Sequence, residues 1–118
     1  MPDRLKSGFI TTTENALPGY RIMERYGVVR GITVRSRSIF GRIGAVLQQI
    51  GGGDISLFRE MCEEARADAF AHAVEGAESL GANALVAIRY DATEIMSGVS
   101  EVLCYGTALR VVKERDAA

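Results

Sequence analysis

The residues best suited to chemistry in this chain are its two cysteines and its only histidine. A soft metal ion needs thiolate or imidazole ligands that converge at ~2.0–2.3 Å from the ion, and closely spaced Cys and His usually announce such a site. Cys62 and His72 would lie ~15 Å apart along one predicted helix, too far to share an ion. His72 and Cys104 are therefore the candidate metal pair, provided that this helix packs on the strand that carries Cys104.

The same residues also have a purely structural interpretation. Free cysteine is among the most frequently buried residue types, and a lone histidine on an apolar helix surface is usually a core or interface residue. In a symmetric ring, however, one Cys or His from each subunit can converge on the axis and form a shared site. The sequence leaves the cofactor unknown, with a metal ion as one possibility.

Other reactive arrangements are poorly represented. The Gly51–Gly53 run precedes a predicted helix, as in loops that bind phosphate through backbone N–H groups. No Lys-Ser/Thr pair follows it, and Asp54 places a negative charge where the anion would lie, so a plain connection is favoured. A catalytic triad could centre only on His72, and nothing around that histidine supports one. We therefore assign no catalytic residue.

The composition argues against binding to nucleic acid or membrane and favours a location in the cytoplasm. The 118 residues have a net charge of −1 and no Trp, and the arginines between Arg30 and Arg42 lack the interleaved aromatics of a nucleic-acid platform. No apolar run approaches the ~20 residues that cross a bilayer. Residues 1–8 lack the apolar stretch of a secretory signal, and two cysteines do not form a disulfide framework. We expect a cytoplasmic protein that binds neither nucleic acid nor membrane.

Periodicity predicts a single domain over residues 1–118 with four strands and two helices. The strands are expected at Phe9–Thr12, within Tyr20–Ser36, at Ala84–Asp91 and at Val99–Val112, with a loop or hairpin between the last two. Tyr20–Ser36 is long for one strand, so Gly27 and Gly31 mark a bulge, a bend or a turn between two strands. A short helix is predicted over Ile39–Ile50.

A long helix from Asp54 or Ser56 to about Leu80, closed by Gly81, is the strongest predicted element. One stripe of it is rich in small residues, which favours close packing across a sheet, whereas its glutamates lie off this stripe. The stripe contains Phe58, Met61, Cys62, Ala65, Ala69, His72, Ala73, Gly76 and Leu80.

The last strand has two apolar faces, which predicts contact with a second subunit. Val102, Cys104, Gly106 and Ala108 share the face suited to the helix stripe, and Leu103, Tyr105, Thr107 and Leu109 form the other. The second face is too apolar for water, and no second long helix is available to cover it. The charges also separate into a block of +5 over residues 21–42 and one of −5 over residues 54–78. These blocks either face each other across a subunit boundary or are solvated independently.

Seven short motifs, in this order and spacing, resemble the YbjQ-like proteins of bacteria, a family labelled as heavy-metal-binding. The motifs are Thr11-Thr12, Pro18-Gly19-Tyr20, Gly27-Val28-Val29-x-Gly31, Gly52-Gly53, Gly81-Ala82-Asn83-Ala84-Leu85-Val86, Arg89-Tyr90-Asp91 and Tyr105-Gly106-Thr107-Ala108. The resemblance implies a two-layer, dodecin-like α+β subunit in which a small, mainly antiparallel sheet packs on one long helix. It also implies a ring-shaped homo-oligomer, a pentamer. Because the resemblance centres on Arg89, Tyr90 and Asp91, these are the candidate ligand-binding residues.

The leading hypothesis is a non-catalytic homo-oligomer that binds a small ligand or metal ion at its subunit interfaces. One alternative is an enzyme whose active site forms at an interface, with Asp91 or a helical glutamate as the base. The other is a scaffold ring that docks a protein through Arg35 and Arg37.

Overall fold

The computed structural model describes residues 3–5, 7–36 and 56–117. The predicted helix at Ile39–Ile50 and the Gly51–Gly53 run lie outside the described residues. In chain order the elements are β1 (Asp3–Arg4), β2 (Ile10–Thr11), β3 (Tyr20–Ser36), α1 (Ser56–Ser79), β4 (Ala84–Met96), β5 (Val99–Lys113) and α2 (Glu114–Ala117).

The strands form one five-stranded sheet in the order β1-β2-β4-β5-β3. The β2–β4 pair is parallel, and the other neighbouring pairs are antiparallel. The predicted α+β class is thus confirmed, with a mixed sheet and one additional strand, β1. Strands β4 and β5 form a long hairpin that turns at Ser97 and Gly98. Of the two connections predicted between the last two strands, a loop or a hairpin, the structure has the hairpin.

The segment Tyr20–Ser36 is one continuous strand of 17 residues. Its register against β5 shifts between Ile22 and Glu24 and again between Arg25 and Gly27. Gly27 adopts a positive φ of 91°, which places it in the left-handed region that glycine enters without steric cost. Of the three predicted alternatives, a bulge, a bend or a turn between two strands, the structure has a bulge at Gly27.

Helix α1 extends over Ser56–Ser79, which confirms the predicted long helix and its end near Leu80, whereas Asp54, the other candidate start, lies outside the described residues. Gly81 follows with a φ of 97°, and its N–H donates to the Glu78 carbonyl at 3.0 Å. The Ala82 N–H donates to the Ala77 carbonyl at 3.2 Å. Gly81 thus ends the helix by satisfying its last carbonyls.

The buried stripe of α1 is rotated from its predicted position. Its buried residues are Ala65, Ala69, Ala73, Val74 and Ala77. The prediction that Cys62, His72 and Leu80 lie on this stripe is wrong, because all three are exposed. The alanine ridge at four-residue spacing approaches β3 more closely than a ridge with bulkier side chains would, so the larger residues lie beside the contact.

Two apolar clusters occupy the two faces of the sheet. Under the helix, Val29, Leu85, Ile88, Cys104 and Ala108 pack against the alanine ridge, which confirms the predicted helix-facing side of β5. On the opposite face a smaller cluster consists of Ile10, Leu17, Ala84, Val86, Leu109 and Val111. The loop that carries Leu17 therefore covers only one end of the second face. Among the described residues, no helix combines the length and apolar character that crossing a membrane requires.

Candidate functional site

The other end of the second sheet face carries an uncovered apolar surface, here called the open sheet face. It consists of Val28, Ile32 and Val34 of β3 with Leu103 and Tyr105 of β5, and Ile32 lies directly opposite Leu103. Val28 is 74% exposed and Val34 is 53% exposed. The exposed Arg30 lies on the same face between Val28 and Ile32 and pairs with Tyr105. Exposed apolar side chains that cluster beside charged ones are typical of a contact with another molecule.

The three candidate ligand residues at the family motif do not converge. Arg89 and Asp91 pair with Tyr105 and Leu103 and so lie beside the open sheet face, whereas Tyr90 pairs with Cys104 on the helix side. The Arg89 guanidinium donates to the Thr13 carbonyl at 2.9 Å and to the Ile88 carbonyl at 2.8 Å. Arg89 therefore holds the loop that follows β2.

The Asp91 carboxylate is exposed beside the open sheet face. One of its oxygens accepts a hydrogen bond from the Ala92 N–H at 2.9 Å. An exposed carboxylate on this face can bind a cation or a donor brought by a neighbouring subunit. Of the three motif residues, Asp91 is the one that keeps an exposed carboxylate beside the open sheet face.

On the helix side, Tyr90 lies opposite Cys104 on the neighbouring strand. Burial raises the pKa of Cys104, and burial together with the adjacent thiol raises the pKa of Tyr90. The Arg66 guanidinium lies 5.7 Å above the centre of the Tyr90 ring, within the range of a cation–π contact. A raised pKa keeps Cys104 in its neutral form, which is a poorer metal ligand than the thiolate.

The candidate metal pair occupies two different environments. Cys104 is fully buried, whereas the His72 side chain is 57% exposed and its Nδ1 lies 3.8 Å from Glu75 Oε2. Within residues 3–5, 7–36 and 56–117, no group of three or more His, Cys, Asp or Glu side chains is placed to hold a metal ion. Metal binding by His72 and Cys104 stays a prediction.

A cavity of about 200 Å³ lies between the first half of α1 and the sheet, and sequence reasoning missed it. Its apolar lining consists of Met61, Ala65, Ala92 and Val102, and its polar lining consists of Arg35, Cys62, Arg66 and Ser100. These residues come from four elements that are distant in the sequence, so no local motif marks the cavity. Only the alternation that places Val102 toward the helix hints at this location.

The charges around the cavity are arranged within one subunit. Arg35 of β3 forms an ion pair with Asp68 of α1. The basic and acidic blocks of the sequence therefore meet inside the subunit at this point. Arg66 lines both the cavity and a shallower depression formed with Glu63, Phe70 and Tyr90. Arg37, the second residue of the predicted docking edge, lies outside the described residues.

The fold and these surfaces define a small α+β protein with one long helix, an incompletely covered mixed sheet and a partly open cavity whose lining includes two arginines. The family model described as "Putative heavy-metal-binding" (YbjQ) matches residues 9–112. The chain belongs to this family, and the resemblance drawn from the sequence motifs is confirmed.

The chain is also similar to curated proteins named UPF0145. One, from Solibacter usitatus, is 57% identical over 104 residues, which cover 88% of this chain and 92% of that protein. Another, from Burkholderia thailandensis, is 57% identical over 104 residues and is covered over 94% of its length. A UPF0145 protein of Burkholderia mallei is 55% identical over the same number of residues.

Proposed function

We propose that this protein is a non-catalytic, cytoplasmic homo-oligomer, a ring of five subunits by family resemblance, that binds a small ligand or a metal ion at its subunit interfaces. The observation that carries this proposal is the open sheet face. It carries exposed apolar side chains on two neighbouring strands, with the exposed Arg30 among them, and the described part of the chain leaves them uncovered. A second copy of the chain is the partner that is always present at high local concentration.

The energetics of the open sheet face favour association. Burying a Val or Ile side chain that is exposed in the free subunit stabilises by ~1.5–3 kcal/mol. Val28, Ile32 and Val34 with Tyr105 therefore supply several kcal/mol toward the ~4–15 kcal/mol entropic cost of association. Contacts elsewhere on the ring would supply the remainder.

Interface binding is supported by what borders the open sheet face. The exposed Asp91 carboxylate lies beside it, and in a ring this carboxylate would recur once in each subunit. Repetition by symmetry can assemble a ligand set that one chain does not contain. The free state of both Cys62 and Cys104 suits the reducing cytoplasm.

The proposal is tested by the mass of the assembly. Native mass spectrometry and light scattering of tag-free protein should give five times the 12.7 kDa subunit mass. Val28→Glu combined with Val34→Glu should yield folded monomers, because both side chains are exposed in the subunit and a charge there harms only the interface. Leu80→Glu, which changes another exposed apolar residue at the end of α1, is the matched control and should keep the assembly.

Monomeric wild-type protein at about 10 µM, well within the range of specific oligomers, would overturn the proposal. So would a double variant that assembles as the wild type does. The same spectra report any additional mass retained by the assembly. A retained mass that disappears on Asp91→Asn would support a ligand at the interface.

A further inference from the structure

We infer that the cavity between α1 and strands β3–β5 binds a small organic anion, a carboxylate with a short apolar body, and that Arg66 is the charge partner of this anion. The cavity is lined by one chain and lies on the helix side of the sheet. Its binding activity is therefore independent of the open sheet face and of the proposed assembly.

The size and walls of the cavity define the body of the ligand. A volume of about 200 Å³ corresponds to about seven water molecules at ~30 Å³ each. Met61, Ala65, Ala92 and Val102 give these walls a predominantly apolar character, which is typical of sites for organic ligands. A benzoate-sized acid or a short fatty acid fits this volume, whereas a nucleotide does not.

The charge of the cavity defines the head group. Two arginine residues, Arg35 and Arg66, line it, and no Asp or Glu is among its described lining residues. Arg35 is neutralised by its ion pair with Asp68. Within the described part of the chain Arg66 has no carboxylate at ion-pair distance, and the central carbon of its guanidinium lies 5.7 Å from the centre of the Tyr90 ring.

Arg66 is thus available for a carboxylate. A cation–π contact uses none of the guanidinium N–H groups as hydrogen-bond donors to oxygen, and these groups match the two oxygens of a carboxylate. The Ser100 hydroxyl in the lining supplies a further donor. The positive charge of Arg66 opposes a metal cation, for which the soft donor atoms of the described lining are the sulfur atoms of Met61 and Cys62.

The test uses sodium benzoate as the anionic probe and benzyl alcohol as its neutral counterpart. In a titration of ¹⁵N-labelled protein followed by NMR, benzoate should shift the amide resonances of Ala92, Ser100 and Val102. Arg66→Gln should weaken benzoate binding by about tenfold or more, the effect of losing a charge-assisted hydrogen bond. Arg59→Gln, on the same helix and outside the cavity lining, should leave benzoate binding unchanged.

A second variant, Val102→Phe, fills the cavity and retains Arg66, so it should also abolish binding. Equal shifts with benzyl alcohol, or full benzoate affinity in Arg66→Gln, would overturn the inference. Silver(I) binding that requires Cys62 and excludes benzoate would overturn it in favour of a soft-metal site. The Val28→Glu/Val34→Glu protein should still bind benzoate. A wrong assignment of the cavity as an anion site can therefore be distinguished from a wrong proposal of a homo-oligomer.

Discussion

At the residue scale, the motif that links α1 to β4 has a structural role. The Asn83 side chain donates from Nδ2 to the Val111 carbonyl and accepts from the Val111 N–H at Oδ1, both at 2.8 Å. Gly81 takes a positive φ, and a Cβ there would lie 3.1 Å from the Tyr26 hydroxyl oxygen. Gly81 and Asn83 of this family motif therefore fix the junction of helix and sheet, which is a structural role and not a ligand-binding one.

The two cysteines should differ sharply in reactivity. Cys62 is exposed, whereas Cys104 is buried and its raised pKa leaves less thiolate at any given pH. Iodoacetamide at about pH 8, close to the pKa of a free thiol, should therefore modify Cys62 rapidly and Cys104 only after unfolding, as peptide mass spectrometry would show. Cys62→Ser should abolish the fast phase. Equal rates at the two sites would contradict the burial of Cys104.

At the element scale, the close contact between α1 and β3 requires glycine, which has no side chain, at position 31 of the strand. A Cβ on Gly31 would overlap the backbone of Ala69 and Ala73, so the strand touches the helix backbone itself. Gly106 in β5 is similarly restricted, because a Cβ there would lie 2.8 Å from the Val86 carbonyl oxygen. The alanine ridge of the helix and the glycines of the strands together set the thickness of the subunit.

Gly31→Ala should lower the free energy of unfolding by about 3 kcal/mol or more, because the helix must move away from the sheet. Gly76→Ala is the matched control within the same contact. Its Cβ would meet only the Arg30 carbonyl oxygen, at 4.0 Å, and alanine favours the helix, so stability should rise by roughly 0.5–1 kcal/mol. Urea denaturation measures both values. Similar effects of the two substitutions would refute this account of the contact.

At the scale of the whole molecule, the subunit is more extended than a compact domain. Its radius of gyration is 17.8 Å and its dimensions are 62 × 26 × 21 Å. A compact chain of this length would have a radius of gyration of about 13–14 Å. The long β4–β5 hairpin and β3 extend the sheet, and such a shape leaves apolar surface that includes Val28 and Val34 exposed.

If neighbouring copies cover that surface, thermal stability should depend on protein concentration. The midpoint of thermal unfolding should rise as the concentration is increased from about 1 µM to about 100 µM, because association stabilises only the folded state. The Val28→Glu/Val34→Glu variant should unfold at a lower temperature that does not vary with concentration. Calorimetry over this range makes the comparison. A wild-type midpoint that is constant over the range would contradict association.

The sequence by itself determined the α+β class, the long helix α1 with its end before Gly81, and the two faces of β5. These features follow from local periodicity and from capping residues, which act over a few positions. The family followed from the order and spacing of its motifs. The rotation of α1 was beyond sequence reasoning, because apolar spacing placed His72 and Cys62 on the same stripe as Ala69.

Only the tertiary structure decided which surfaces remain available. It showed that Leu17 covers one end of the second sheet face, while Val28 and Val34 at the other end stay exposed. It separated Tyr90 from Arg89 and Asp91, since adjacent strand residues point to opposite faces. It also brought Arg35 and Arg66 to one cavity. Such sites arise from packing between elements distant along the chain, and local sequence patterns carry no record of that packing.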